Sequence, residues 1–97
     1  MPRYVSTIRF TDQGSVAIRD TVKRSKAFKS AARKLGVKVR ETYWTQGPFD
    51  GLIVFDAPDE ESVAALLLDL NSLGNVQTQT CRAFGAAEMQ QVLSKIE

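Results

Sequence analysis

The chain has no histidine and only one cysteine, Cys81, among its 97 residues. Without histidine there can be no histidine-ligated metal or haem and no Ser-His-Asp or Cys-His catalytic system. A single cysteine cannot form an intramolecular disulfide, and its place in a predicted strand favours a small buried hydrophobic residue over a reactive thiol. Acid–base chemistry would then depend on carboxylates, lysine, tyrosine or a group held by oxygen ligands. We expect no resident cofactor and no metal.

The sequence also lacks any apolar run of roughly 18 residues, and no apolar segment follows its first residues. We therefore expect a cytoplasmic protein with no signal peptide and no membrane span. A composition of 43% apolar and 25% charged residues is ordinary for a globular protein. The length fits a single domain, residues 1–97, with a modest core that pairing with a second copy would help.

The charged residues are unevenly distributed along the chain, although the net charge is only +2. Residues 19–40 contain nine lysines and arginines against one carboxylate, whereas residues 41–97 contain two against nine. This polarity could steer an anionic ligand or a partner subunit, or it could be a solvated helix face. Nucleic-acid binding is not expected, because no recognition motif accompanies the basic segment.

The spacing of apolar residues predicts four strands, at residues 3–10, 37–45, 49–57 and 76–84. A helix ends before Gly36, broken early at Asp20-Thr21, and a second runs from the N-cap Asp59 to Gly74. A short C-terminal helix carries Met89, Val92, Leu93 and Ile96. The order βαββαβ predicts an α+β, ferredoxin-like sandwich with a four-stranded antiparallel sheet.

This order places both main helices on one side of the sheet and leaves the other face bare. The third strand is nevertheless apolar on both faces, over Leu52–Phe55. Two sheets packed face to face would resolve the conflict, so we predict a homodimer through the sheet faces. Regular alternation in the second strand would place Val37, Val39, Glu41 and Tyr43 on one face.

Several segments resemble the proteins of the GYD domain family: Thr11–Gly14, Tyr43–Gly51, Leu73–Val76 and Thr80–Phe84. The resemblance covers nearly the whole chain and implies a ferredoxin-like fold in the dimeric α/β barrel superfamily. It implies no established reaction. The family's Gly-Tyr-Asp signature would align with Gly47–Asp50, where Phe49 replaces the tyrosine, so no phenol hydroxyl is available there.

Asp50 is the candidate catalytic residue. It is predicted one residue inside an apolar strand, which suits a general acid or base, although it could instead brace the Gly47-Pro48 turn. By alternation it shares a face with Leu52, Val54 and Asp56. Arg82 could hold an anionic group, or it could pair with Asp50 or Glu41 inside a dimer interface.

The candidate ligand-binding residues are Tyr43, Trp44, Gly47, Phe49 and Arg82. The aromatic residues could line a flat pocket or be core and interface residues, and Gly47 could equally be a backbone device of the turn. Two functions remain open. One is a homodimeric small-ligand-binding or assembly module without catalysis, which the sparse polar inventory favours. The other is a cofactor-independent isomerase, lyase or oxygenase that uses Asp50 as its acid or base.

Overall fold

The computed structural model describes all of residues 1–97 and contains the predicted order of strands and main helices. A 3₁₀ turn, Ile18–Asp20, separates the first two helices. None of the helices combines the length and apolar character needed to cross a membrane. The strands are β1 Arg3–Phe10, β2 Lys38–Trp44, β3 Gly51–Asp56 and β4 Val76–Ala83, and the helices are α1 Asp12–Val16, α2 Thr21–Lys34, α3 Glu60–Ser72 and α4 Ala86–Leu93.

The four strands form one antiparallel sheet in the order β2-β3-β1-β4. β1 therefore lies in the centre between β3 and β4, and β2 and β4 form the edges. This is the ferredoxin-like α+β fold that the order of elements predicts. The predicted β2–β3 hairpin is confirmed, with Trp44 opposite Gly51 at its closed end.

The core lies between the sheet and helices α2 and α3. Phe55, on β3, is completely buried there, and its ring stacks on Tyr4 of β1 with the centroids 5.6 Å apart. From the helices, Ala32 and Leu66 are at most 1% exposed. The buried residues recur at every second position along the strands and at about every 3.6 positions along the helices, as the apolar spacing in the sequence predicts.

The predicted helix ends are confirmed. The Asp59 carboxylate accepts a hydrogen bond from the backbone N–H of Ser62, as an N-cap does, and this bond lowers the pKa of Asp59. At the other end of α2, Gly36 has a φ of 73°, which favours glycine after a helix. The predicted break at Asp20-Thr21 coincides with the boundary between the 3₁₀ turn and α2.

The predicted regular alternation along the second strand is wrong. A β-bulge at Arg40 shifts the register, so that Val39 lies opposite Phe55 while Glu41 lies opposite Val54. Val39 consequently faces the helices, whereas Glu41 and Tyr43 lie on the opposite, outer face of the sheet. Period-2 reasoning cannot detect a bulge, because the extra residue reverses every face assignment beyond it.

The predicted burial of Cys81 is also wrong, because this residue is exposed. It lies on β4, an edge strand, opposite Val5 on the outer face, which no helix of the chain covers. Helix α4 is similarly uncovered. Its apolar residues Met89, Val92 and Leu93 are between 37% and 46% exposed.

Candidate ligand site in the groove between two helices

A groove opens between α2 and α3 on the helix-covered side of the sheet, and we call it the interhelical groove. The two helices make few direct contacts with each other, so the space between them reaches down to the sheet. The groove has a volume of about 270 Å³. Its floor consists of core side chains, among them Ile8, Phe28, Ile53 and Leu66. The arrangement leaves apolar surface accessible to a small molecule.

Trp44 lines the groove at the end of β2 and is 46% exposed. Its indole N–H donates to the hydroxyl of Thr21, at the first turn of α2, over 2.9 Å. This bond holds the indole ring beside the mouth of the groove. Tyr43 also borders the groove, but its hydroxyl donates to the Glu41 carboxylate at 2.8 Å on the outer face. That bond raises the pKa of Tyr43.

Asp50 lines the groove as well, but it precedes β3 rather than lying inside it, which corrects the sequence prediction. Its Oδ2 accepts the backbone N–H of Phe10 at 2.8 Å, and its own N–H donates to the carbonyl of Ile8 at 2.7 Å. The carboxylate thus continues the β1–β3 hydrogen-bonding ladder by replacing a backbone carbonyl. The hydrogen-bond partner of the carboxylate therefore lies at the end of β1, not in the Gly47-Pro48 turn.

Arg24, on α2, brings a positive charge to the same groove. Its Nη1 donates to the carbonyl of Ala17 at 2.6 Å, while its Nη2 is buried and has no hydrogen-bond partner. A buried donor without a partner costs about 1–3 kcal/mol. We did not anticipate Arg24 from the sequence, although a signal exists. It follows Thr21 by three residues and precedes Phe28 by four, which places it on the groove side of α2.

Of the other candidate residues, Gly47 and Phe49 lie in the β2–β3 loop and do not line the groove. Gly47 has a φ of 133°, so its conformation favours glycine at this turn. The carbonyl of Phe49 accepts the hydroxyl of Thr45 at 2.6 Å, and this bond closes the loop. Both residues therefore shape the hairpin that carries Trp44 and Asp50.

Arg82 does not line the groove, and within the single chain it pairs with neither Asp50 nor Glu41. It pairs instead with Glu88 of α4 at 3.0 Å, which lowers the pKa of Glu88, and its guanidinium lies over the Phe84 ring. The strand order explains this separation within the chain. β1 separates β4 from β3, so Arg82 and Asp50 are not neighbours.

The outer face carries a polar cluster that sequence reasoning did not single out. Asp56, only 5% exposed, accepts two bonds from Arg3, at 2.8 and 3.2 Å, and one from Arg40 at 2.7 Å. The hydrogen bond from Arg3 is the main cause that lowers the pKa of Asp56 to about 2; burial opposes it and Arg40 adds to it. The bulge at Arg40 coincides with this contact.

Apolar side chains form a patch on the same outer face. Leu52 and Val54 of β3 are half-buried there, with Val5 opposite Val54 and Thr7 opposite Leu52 on β1. Nowhere do three carboxylate or thiol side chains lie close enough together to hold a metal ion. The half-buried apolar side chains leave part of the outer face as apolar surface in the single chain.

The sequence of this chain is similar to a known protein family and to a protein of Thermus thermophilus. A GYD domain model matches residues 4–93. A protein of Thermus thermophilus named "Glutamine synthetase and cystathionine beta-lyase binding protein" is 32% identical over 90 residues, which cover 92% of this chain and 95% of that one. The similarity thus extends over nearly the full length of both proteins.

Two solved structures have similar folds. The structure of TTHA0845 from Thermus thermophilus has a TM-score of 0.57 at 26% identity, covering 89% of this chain and 96% of that one. MtbAldR has a TM-score of 0.68 at 13% identity, covering 87% of this chain. This chain spans only 52% of MtbAldR, so that likeness concerns the fold alone. The match of the family model over residues 4–93, together with the Thermus relative, shows that this chain belongs to the GYD domain family.

Proposed function

We propose that this protein is a homodimeric binding module that holds a small, largely apolar molecule in the interhelical groove. One observation carries the proposal: the groove of about 270 Å³ is open down to core side chains. The side chains that line a gap of this kind lack packing contacts on one side unless a molecule occupies it. Trp44 and Arg24, at the wall of the groove, supply a ring to stack on and a charge to orient the occupant.

The groove's polar groups favour binding over catalysis. Asp50, the candidate acid or base, is engaged by the backbone of Phe10, and the hydroxyl of Tyr43 is turned toward Glu41. No lysine lines the groove. A general acid–base mechanism needs a group free to exchange a proton with the ligand, and the groove offers few candidates.

The proposal is tested by filling the groove. Ala31 of α2 lines it, so Ala31→Phe would occupy part of its volume. Ala65→Phe, at an exposed position on α3, is the matched control. We expect small aromatic fragments to shift the amide resonances of Ile8, Phe28 and Trp44 in the native protein and in Ala65→Phe, but not in Ala31→Phe. Resonance shifts scattered over the surface would contradict a groove site. So would shifts in Ala31→Phe as large as those in the native protein.

The homodimer is proposed through the outer face, where Val5, Leu52 and Val54 form the apolar patch. Burying such a patch removes apolar surface from water. We expect light scattering to give twice the mass of one 10.7 kDa chain, and Val54→Glu to reduce it to one chain. Leu68→Glu, at a 72% exposed position on α3, should leave the dimer intact. A native mass of 10.7 kDa at micromolar concentration would refute the dimer.

The Thermus relative favours a second role, assembly with an enzyme, because its name describes binding to glutamine synthetase and cystathionine beta-lyase. The exposed apolar side of α4, with Val92 and Leu93, supplies an unoccupied surface for such a partner. Interferometry with purified glutamine synthetase and cystathionine beta-lyase tests this role. We expect Leu93→Glu to weaken binding and Gln91→Glu to leave it unchanged, and no binding to either enzyme would reject it.

A further inference from the structure

We propose that the interhelical groove selects monocarboxylates with an apolar body, and that Arg24 binds the carboxylate. This inference rests on the proposed function, because it names the class of ligand for the same groove. It draws on three observations: the unpaired nitrogen of Arg24, the charge of the other polar residues around the groove, and the volume of the apolar floor.

The guanidinium of Arg24 is only half satisfied. Nη1 donates to the carbonyl of Ala17 at 2.6 Å, while Nη2 is buried and has no partner, so a carboxylate in the groove reaches Nη2 once the side chain turns toward it. It is the one buried side-chain nitrogen or oxygen in the protein without a hydrogen bond. A guanidinium nitrogen can only donate, so the missing partner must be an acceptor, and a carboxylate matches it in both charge and geometry.

The protein's own carboxylates do not supply that acceptor. Asp50 and Asp69 also line the groove, but neither lies within ion-pair distance of Arg24. Asp50 is already bonded to the N–H of Phe10. The two aspartates limit how much negative charge the groove can accept. Because like charges repel, they favour a singly charged carboxylate over a doubly charged phosphate.

The apolar floor determines the rest of the ligand. A cavity of about 150 Å³ lined by aliphatic and aromatic residues holds benzene. The interhelical groove, at about 270 Å³, has room for a ring and a short alkyl chain above Ile8, Phe28 and Ile53. These groups offer no hydrogen bonds, so the body of the ligand must be apolar.

Trp44 supplies the readout, since it is the only tryptophan and lines the groove. Its fluorescence can follow titrations with 4-phenylbutyrate and with 4-phenylbutanol, which has the same body without the charge. We expect the native protein to bind the carboxylate about tenfold more tightly than the alcohol. Arg24→Gln should abolish that preference while retaining affinity for the alcohol. Lys26→Gln, at an exposed position on the same helix, should retain the preference.

The outcomes separate this inference from the proposed function. Equal binding of the two probes by the native protein would overturn the role of Arg24 and leave the groove as a binding site. An equal loss of affinity for both probes in Arg24→Gln would also overturn the role of Arg24, since Arg24 would then support only the shape of the groove. If neither probe binds the native protein, both proposals fail. Tighter binding of 4-phenylbutyl phosphate than of 4-phenylbutyrate would overturn the preference for a single charge.

Discussion

The two faces of the single sheet differ in what covers them, although the same strands build both. On β3, Ile53 and Phe55 point toward the helices and are at most 8% exposed, whereas Leu52 and Val54 point outward and are half-buried. The inner face is covered by α2 and α3. The outer face has one well-buried polar residue, Asp56, and an apolar patch without a cover in the single chain.

The two faces of β3 therefore contribute unequally to the stability of the single chain. The inner residues contribute to the stability of the chain, because burial of apolar surface drives folding. The outer residues gain little in a single chain and would gain more in the proposed dimer, where a second sheet would cover them. The interhelical groove adds an exception on the inner face, where core side chains remain accessible.

The largest expected effect comes from Phe55→Ala on the inner face. Phe55 is completely buried and stacks on Tyr4, so its removal should lower the free energy of unfolding by about 3–5 kcal/mol. Val54→Ala, one residue away on the outer face, should cost about 1 kcal/mol. Urea unfolding at one protein concentration compares them. Equal losses would contradict the expected difference between the two faces. They would show that a second copy buries the outer face as deeply as the helices bury the inner one.

The next effect concerns Asp56, the buried carboxylate of the outer face. Its pKa is about 2 in the folded chain, lowered from 3.8 chiefly by the hydrogen bond from Arg3. Because the folded pKa lies below the ordinary value, the ionised carboxylate stabilises the fold by about 2 kcal/mol above pH 4. That contribution declines as the pH falls toward 2 and is lost below it.

Asp56→Asn should therefore lower the free energy of unfolding at pH 7 by about 2 kcal/mol and flatten its dependence on pH between 4 and 2. Unfolding by urea across this pH range measures both changes. Glu97→Gln, an exposed terminal carboxylate without an ion pair, is the control and should keep the native pH profile. An unchanged profile in Asp56→Asn would assign the acid sensitivity to other carboxylates.

The last expected effect concerns Asp50, at the edge of the groove. Asp50→Ala removes the acceptor of the Phe10 N–H and should cost about 1–3 kcal/mol. Asp50→Asn retains an amide oxygen at that position and should cost less than half as much. Hydrogen exchange of the Phe10 amide, faster in the alanine variant only, checks the cause. If the asparagine variant loses as much as the alanine variant, the negative charge matters rather than the hydrogen bond.

Features that depend on neighbouring residues could be predicted from the sequence. Apolar spacing, the N-cap Asp59 and the glycine at position 36 act within one or two turns of the chain, so the order of elements and their ends followed from them. Trp44 and Asp50 could be chosen because they flank a recognisable turn. Helical spacing places Arg24 on the groove side of α2, but its buried nitrogen could not be predicted, because it depends on the way the side chain reaches the carbonyl of Ala17.

The α+β class, the boundaries of most elements and the family could be read from the sequence, since these depend on local periodicity and on motifs. The tertiary structure decided which residues meet. It separated Arg82 from Asp50 by inserting β1 between their strands, reversed the faces of β2 through the bulge at Arg40, and opened the groove by keeping α2 and α3 apart. The physical reason is that strand pairing and helix packing join residues that are distant in the chain, and no local pattern records those contacts.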